Sequence, residues 1–119
     1  AQRLVRRICP HCKVPVKYER DVLEEAGLSY EKYADFTFYE GEGCKECNGL
    51  GYHGREAIVE LLELTDDLRE MIASKRPVSE LKKVARDGGT VFLREAAMEK
   101  VFEGKSTIRE INRVTFVEL

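Results

Sequence analysis

The spacing of apolar and polar positions changes character several times along the chain. Glu19 to Ala26 has helical spacing, and Gly27 stands where a helix stop is wanted. Asp35 to Glu40, DFTFYE, alternates in the manner of a strand. Arg55 to Leu64, REAIVELLEL, satisfies either period, and its place directly after a glycine-rich turn favours a strand. Thr65 or Asp66 can then cap a helix in which Leu68, Met71 and Ile72 share one face. Lys75-Arg76-Pro77 breaks that helix. A second starts at Ser79, with Leu81, Val84 and Ala85 inward and Gly88-Gly89 as its stop. A third spans Val91 to Glu103, with Leu93, Ala97 and Val101 apolar, and ends at Gly104. Thr107-x-x-Glu110 has the form of a capping box for a fourth, short helix. The tail, VTFVEL, reads as a strand or an interaction segment.

This order predicts an α+β fold in two parts. Residues 1–55 make a small subdomain with short strands and a helix, and residues 56–119 make a mainly helical lobe. From Thr65 onward the lobe has its own caps, glycine stops and apolar faces, and is expected to keep its helices independently of the first part, loosened where Ile58 to Leu64 joins the two. The alternative is a single cooperative unit in which Ile58, Leu61 and Leu62 weld both parts into one core. A chain of 119 residues, 43% of them apolar, is long enough for such a core. No apolar run approaches the ~18–20 residues of a membrane span, and no signal peptide is visible. Ala1 to Ile8 reads as the middle of a structure, so the sequence is expected to be a section of a longer protein.

Charge adds one asymmetry. The formal net charge is −2, which argues against a general nucleic-acid binder. Yet Ala1 to Lys17 holds five basic residues (Arg3, Arg6, Arg7, Lys13, Lys17) and no acidic one, whereas Tyr18 to Glu46 holds nine acidic and three basic. The basic stretch is expected to partly neutralise something negative nearby. A four-thiolate zinc site, formally about −2, would be one such thing.

The chain's four cysteines are Cys9, Cys12, Cys44 and Cys47, two C-x-x-C pairs separated by residues 13–43. A C-x-x-C turn aims both sulfurs at one point. Pro10 suits the first corner of that turn, and Gly49 and Gly51 allow positive φ as the chain leaves the second pair. Two facing knuckles of this kind make a tetrahedral zinc site with Zn–S near ~2.3 Å. The separation exceeds the common ~15–20 residues, which requires a folded insertion between the knuckles. A redox pair at Cys9-Cys12 would need a helix starting at the motif to lower the thiol pKa, and Pro15 opposes one. A disulfide within C-x-x-C would close too small a loop to stabilise much. His11 and His53 read as surface residues, since four thiolates already complete a ligand set. Cys44 to Gly51 also matches one repeat of the zinc region of J-domain co-chaperones, but that region needs four repeats and this chain has one.

Elsewhere there is no Ser/His/Asp cluster. Neither GEGC nor GLGYHG ends in the Gly-Lys-Ser/Thr of a phosphate loop. Asp66, Asp67 and Glu70 read as a solvated face.

Taken in order, AQRLVRRICPHCK, then GCKECNGLGYHGREAIVELLEL, then LREAAMEKVFEGKSTIREINRVT resemble the C-terminal part of the type II secretion and type IV pilus assembly ATPases. The knuckles, the Gly-Tyr-x-Gly-Arg turn and the closing Arg-Val-Thr occur in the family's order, with Val14 to Tyr39 least diagnostic. The resemblance implies a parent that is a cytoplasmic, homohexameric ATPase at the inner face of the bacterial inner membrane. Such a parent drives pilus or pseudopilus assembly through inner-membrane platform proteins. It also implies that Cys9, Cys12, Cys44 and Cys47 hold one structural zinc ion. ATP and magnesium would be bound only by the parent's core, whose end is AQRLVRR. Arg3, Arg6 and Arg7 would then face a nucleotide or a neighbouring subunit, or be ordinary surface arginines. Two rival functions remain on sequence alone: a thiol–disulfide oxidoreductase using Cys9-Cys12, and a free-standing zinc-ribbon adaptor for nucleic acid or protein. The basic N-terminal run supports the adaptor, but no stacking aromatics are interleaved in it.

Overall fold

The computed structural model describes residues 1–115. Among them are four strands and six helices: β1 Gln2–Ile8, β2 Lys13–Val16, α1 Arg20–Glu25, α2 Tyr30–Tyr33, β3 Phe38–Gly41, β4 Tyr52–Val59, α3 Asp66–Ala73, α4 Val78–Asp87, α5 Leu93–Phe102 and α6 Ile108–Thr115. The fold is α+β, with two small antiparallel sheets. β1 pairs with β4, and β2 with β3.

The β1–β4 ribbon shows why QRLVRRI is a strand. Val5 turns inward to the hydrophobic cluster, while Leu4 points outward and is half exposed; Ile8, three residues on from Val5, is buried outside that cluster. Leu4 lies opposite Ala57, Val5 opposite Glu56 and Arg6 opposite Arg55. The register then slips, so that Ile8 meets Tyr52. His53 and Gly54 on β4 thus face Arg7 alone on β1, and Gly54 takes φ +85° inside this bulge. REAIVELLEL divides at Val59: its first half is strand, and Leu61 to Leu64 run on without regular structure.

Where β3 ends and β4 begins, two glycines cross. A Cβ on Gly41 would fall on the carbonyl of Gly51, and one on Gly51 (φ +82°) would lie 2.6 Å from the carbonyl oxygen of Gly41. No side chain fits at either place, and this close crossing returns the second knuckle toward the first.

The predicted helix stops are observed. Gly27, Gly89 and Gly104 have φ of +84°, +103° and +77° after α1, α4 and α5. Thr65 caps α3, its hydroxyl accepting the Leu68 N–H at 3.2 Å. α2 has no counterpart in the sequence reading. DFTFYE yields a strand only from Phe38 onward. Of the tail, Val114 and Thr115 close α6, and residues 116–119 lie outside the described residues.

One hydrophobic cluster draws on both parts of the chain. Leu23, Ala26 and Phe38 come from the segment between the knuckles. Val5 and Ile58 come from the ribbon, and Ala97, Met98, Val101, Ile108 and Ile111 from α5 and α6. Phe36 and Tyr33 extend it by packing on Phe102, with ring centroids 5.7 and 5.3 Å apart. α3 and α4 stand beside this cluster and contribute nothing to it. Their own buried residues are Leu68 and Ala85.

Candidate metal centre

Cys9 follows the last residue of β1, and its N–H donates to the Gly51 carbonyl at 2.9 Å. Cys12 precedes β2. Cys44 begins a single 3-10 turn, Lys45–Cys47, that carries Cys47 back toward it. Asn48 leaves this turn at φ +56°, a conformation that asparagine tolerates better than most residues and that the sequence reading had assigned only to the glycines. The structure therefore brings all four cysteines together from three separate elements. Their sulfurs all lie within 4.8 Å of one another.

The finer distances test whether a metal ion fits. A tetrahedron with ~2.3 Å arms has edges of about 3.8 Å. Cys9–Cys44, Cys12–Cys47 and Cys44–Cys47 are separated by 3.8, 3.8 and 3.7 Å. A disulfide needs ~2.0 Å, and all four cysteines are free. Backbone amides are already aimed at the sulfurs. Gly43 N–H reaches Cys12 Sγ at 3.3 Å, and Cys44 N–H and Gly51 N–H each reach Cys47 Sγ at 3.2 Å. These donors favour thiolates over thiols. The donor set and its spacing could hold a zinc ion. His11 and His53 are both exposed and outside the cluster.

The electrostatics show what crowding four thiols does. Burial pushes Cys12 up to about 12, with the neighbouring thiols adding to the rise and the Gly43 amide opposing it. Burial likewise raises Cys44. Burial would also raise Cys47, but the amides of Cys44 and Gly51 and the thiols around it bring it down to about 6. Cys47 thus carries charge readily while Cys12 and Cys44 resist adding a second. A bound dication reverses that resistance, since a coordinating thiol is deprotonated outright. Cys9-Pro10-His11-Cys12 leads into β2, not into the helix that a thioredoxin-like site would need.

Within the basic N-terminal run, Arg6 and Arg7 find carboxylate partners away from the sulfurs. Arg7 lies 3.8 Å from Glu56, which also pairs with Lys100 at 2.7 Å. Arg3 donates to the Gln2 carbonyl. Arg6 meets Glu110, whose side chain is fully buried. Glu110 accepts the Arg6 N–H at 2.8 Å, the Arg6 guanidinium at 2.9 and 3.1 Å, and Arg113 at 2.8 and 2.9 Å. Burial alone would raise the Glu110 pKa, but Arg113, Arg6 and the Arg6 amide hold it down at about 2. The capping-box pattern is thus half realised. Thr107 Oγ1 does accept the Glu110 N–H at 3.0 Å, but the Glu110 carboxylate crosses to β1. The signal that could have found this is an acid at an inward helix position, facing a chain rich in arginine.

A family model described as type II/IV secretion system protein matches residues 1–113. The chain belongs to that family. It is 42% identical over 111 residues to the type IV pilus assembly ATPase PilB of Thermus thermophilus, covering 93% of this chain and 12% of the relative. It is 39% identical over 112 residues to PilB of Myxococcus xanthus, covering 93% and 20%. With the type II secretion system protein E of Pseudomonas aeruginosa it shares 40% identity over 115 residues, covering 97% and 22%. The chain therefore spans 12 to 22% of the length of these curated relatives. All four cysteines fall inside the portion matched by the type II/IV secretion family. Among the described residues, no helix is long and apolar enough to cross a membrane.

Proposed function

We propose that this chain is the C-terminal, zinc-carrying section of a motor ATPase that powers pilus or pseudopilus assembly and protein secretion. Cys9, Cys12, Cys44 and Cys47 bind one structural zinc ion, which holds the segment between the knuckles in its fold. The observation that carries the reading is the four-sulfur cluster with near-tetrahedral spacing, in a chain of the type II/IV secretion family. Chemically, the ion supplies charge neutralisation and a crosslink. The chain's own residues supply thiolates, amide donors and the strands that bring them together.

The same proposal places ATP hydrolysis, ATP and magnesium in the parent protein, outside this section. The parent works in the cytoplasm as a homohexamer at the inner membrane, against neighbouring subunits and platform proteins. Residues 1–55 form the metal-binding subdomain and include the end of the ATPase core; residues 56–119 form the helical lobe. The outer face of the β1–β4 ribbon supports a seam with that core, since Leu4 and Val59 stand 53% and 54% exposed on it.

The test is metal content and coordination. Protein purified without added metal should carry one zinc per chain by elemental analysis, with four sulfurs in the first shell by X-ray absorption. Less than half an equivalent, or nitrogen in the first shell, would sink the assignment.

A further inference from the structure

We propose that the first turn of α6 is a positioning element for the metal centre, with Glu110 as its principal residue. The inference rests on the zinc reading above. Both strands that leave the knuckles are gripped by this one turn and the loop before it. On the β1 side, Glu110 accepts the Arg6 N–H at 2.8 Å, Ser106 Oγ donates to the Arg6 carbonyl at 2.8 Å, and the Ile8 N–H donates to the Lys105 carbonyl at 2.9 Å. Cys9 is the next residue. On the β4 side, the Tyr52 hydroxyl bonds Thr107 Oγ1 at 2.7 Å. Tyr52 directly follows Gly51, whose N–H reaches Cys47 Sγ. The Arg6 guanidinium lies 4.3 Å from the centre of the Tyr52 ring, so the two grips are joined to each other.

The free edge of β1 is thereby replaced, from Arg6 to Ile8, by residues 105–110. Removing the Glu110 carboxylate frees the Arg6 amide and lets the end of β1 tilt. Cys9 then moves relative to Cys44 and Cys47, and zinc tolerates only about ±0.2 Å in its ligand distances. Glu110 touches no sulfur; it acts through Arg6 and β1. Linkage makes the effect reciprocal: whatever factor Glu110 contributes to metal affinity, the metal contributes to the Glu110 clamp.

The experiment uses the full 119-residue chain, with zinc affinity read by chelator competition and coordination by 113Cd resonance of the cadmium-loaded protein. Glu110→Gln is expected to weaken zinc binding about fivefold to tenfold and to shift the cadmium resonance. Leu68→Ala, in the remote α3–α4 pair, should change neither. In an Arg6→Ala background the Glu110→Gln effect should shrink but not vanish, because the guanidinium contacts are gone while the backbone N–H of residue 6 still donates to residue 110. Stripping the metal should in turn move the Arg6 and Glu110 amide resonances. If Glu110→Gln will not fold, Tyr52→Phe removes only the hydroxyl and should weaken binding about twofold, within the range of a single lost hydrogen bond. Wild-type affinity and an unmoved cadmium resonance in whichever of these variants folds would overturn the proposal. So would equal weakening by Leu68→Ala, which would mark general destabilisation. A wild-type chain that binds no zinc would overturn the proposed function as well, an outcome read before any variant is made.

Discussion

The metal-side body of the chain and the α3–α4 hairpin are built from similar helices and solve opposite problems. In the body, α5 and α6 bury Ala97, Met98, Val101, Ile108 and Ile111 against Leu23 and Phe38 from the segment between the knuckles. In the hairpin, Leu68 and Ala85 are buried, while Ile72 and Val78 remain 51% and 65% exposed, next to Leu62 and Leu64. Capping, spacing and glycine stops are equally good in both. What differs is access to a shared core, and most helix stability in proteins comes from that packing. Local signals therefore say where the helices lie, but not which of them stand or fall together.

The largest expected effect tests that grouping. Structural zinc supplies an apparent ~10–16 kcal/mol to small metal-dependent folds. Cys44→Ser should therefore remove hydrogen-exchange protection around Cys9. Because Phe38 and Leu23 sit in the same cluster as Val101 and Ile111, α5 and α6 should lose protection with it. The expectation that the helical lobe stands independently changes accordingly. The hairpin amides between Leu68 and Ala85 should keep the protection they have in the wild type. Full protection of α5 in the Cys44→Ser protein would show that the two parts are separate after all.

A smaller effect sharpens the same contrast without touching the metal. Phe38→Ala should destabilise the chain by about 4 kcal/mol in urea titration, although Phe38 lies between the knuckles. Ile72→Ser in the hairpin should cost less than about 0.5 kcal/mol, as surface substitutions do. Similar values for the two would mean that the shared cluster does not carry the stability assigned to it.

The smallest effect is in the acid limb. The folded pKa of Glu110 is about 2, below its ordinary 4.5. Its contribution is therefore fully present above about pH 4.5 and is lost as pH falls toward 2. Glu110→Gln should be less stable than wild type by about 2 kcal/mol at pH 6, the scale of a charged hydrogen bond. That gap should narrow steadily between pH 4.5 and 2.5 in thermal unfolding. A gap that stays constant across this range would show that the fold does not hold the Glu110 pKa below its unfolded value.

The cysteine cluster was legible because its signal is local twice over: each C-x-x-C sets its own turn, and Gly51 sits where the chain must bend back. The pairing of residues 2–8 with 52–59 was not legible. Nothing in a window of ten residues reports a partner fifty positions away. Glu110 was misread for a related reason. Thr107-x-x-Glu110 fits a local pattern, and the amide half of that pattern does form, but Arg6 offers the carboxylate more than the Thr107 N–H can. α2 is a single turn, Tyr30–Tyr33, too short to have a period.

The neck at Ile8 and Tyr52 bears on the order in which the molecule assembles. These residues face each other across the ribbon, one position from Cys9 and from Gly51. Once β1 and β4 pair, the two ends of residues 9–51 are already side by side, and the sulfur pairs meet at little further entropic cost. If an ion first bridges the two pairs, the same loop is closed and the strands need only zip. Either closure prepares the other, so the chain has two routes to one structure. If the four sulfurs bind zinc as proposed, the ion can then enter before or after the strands pair.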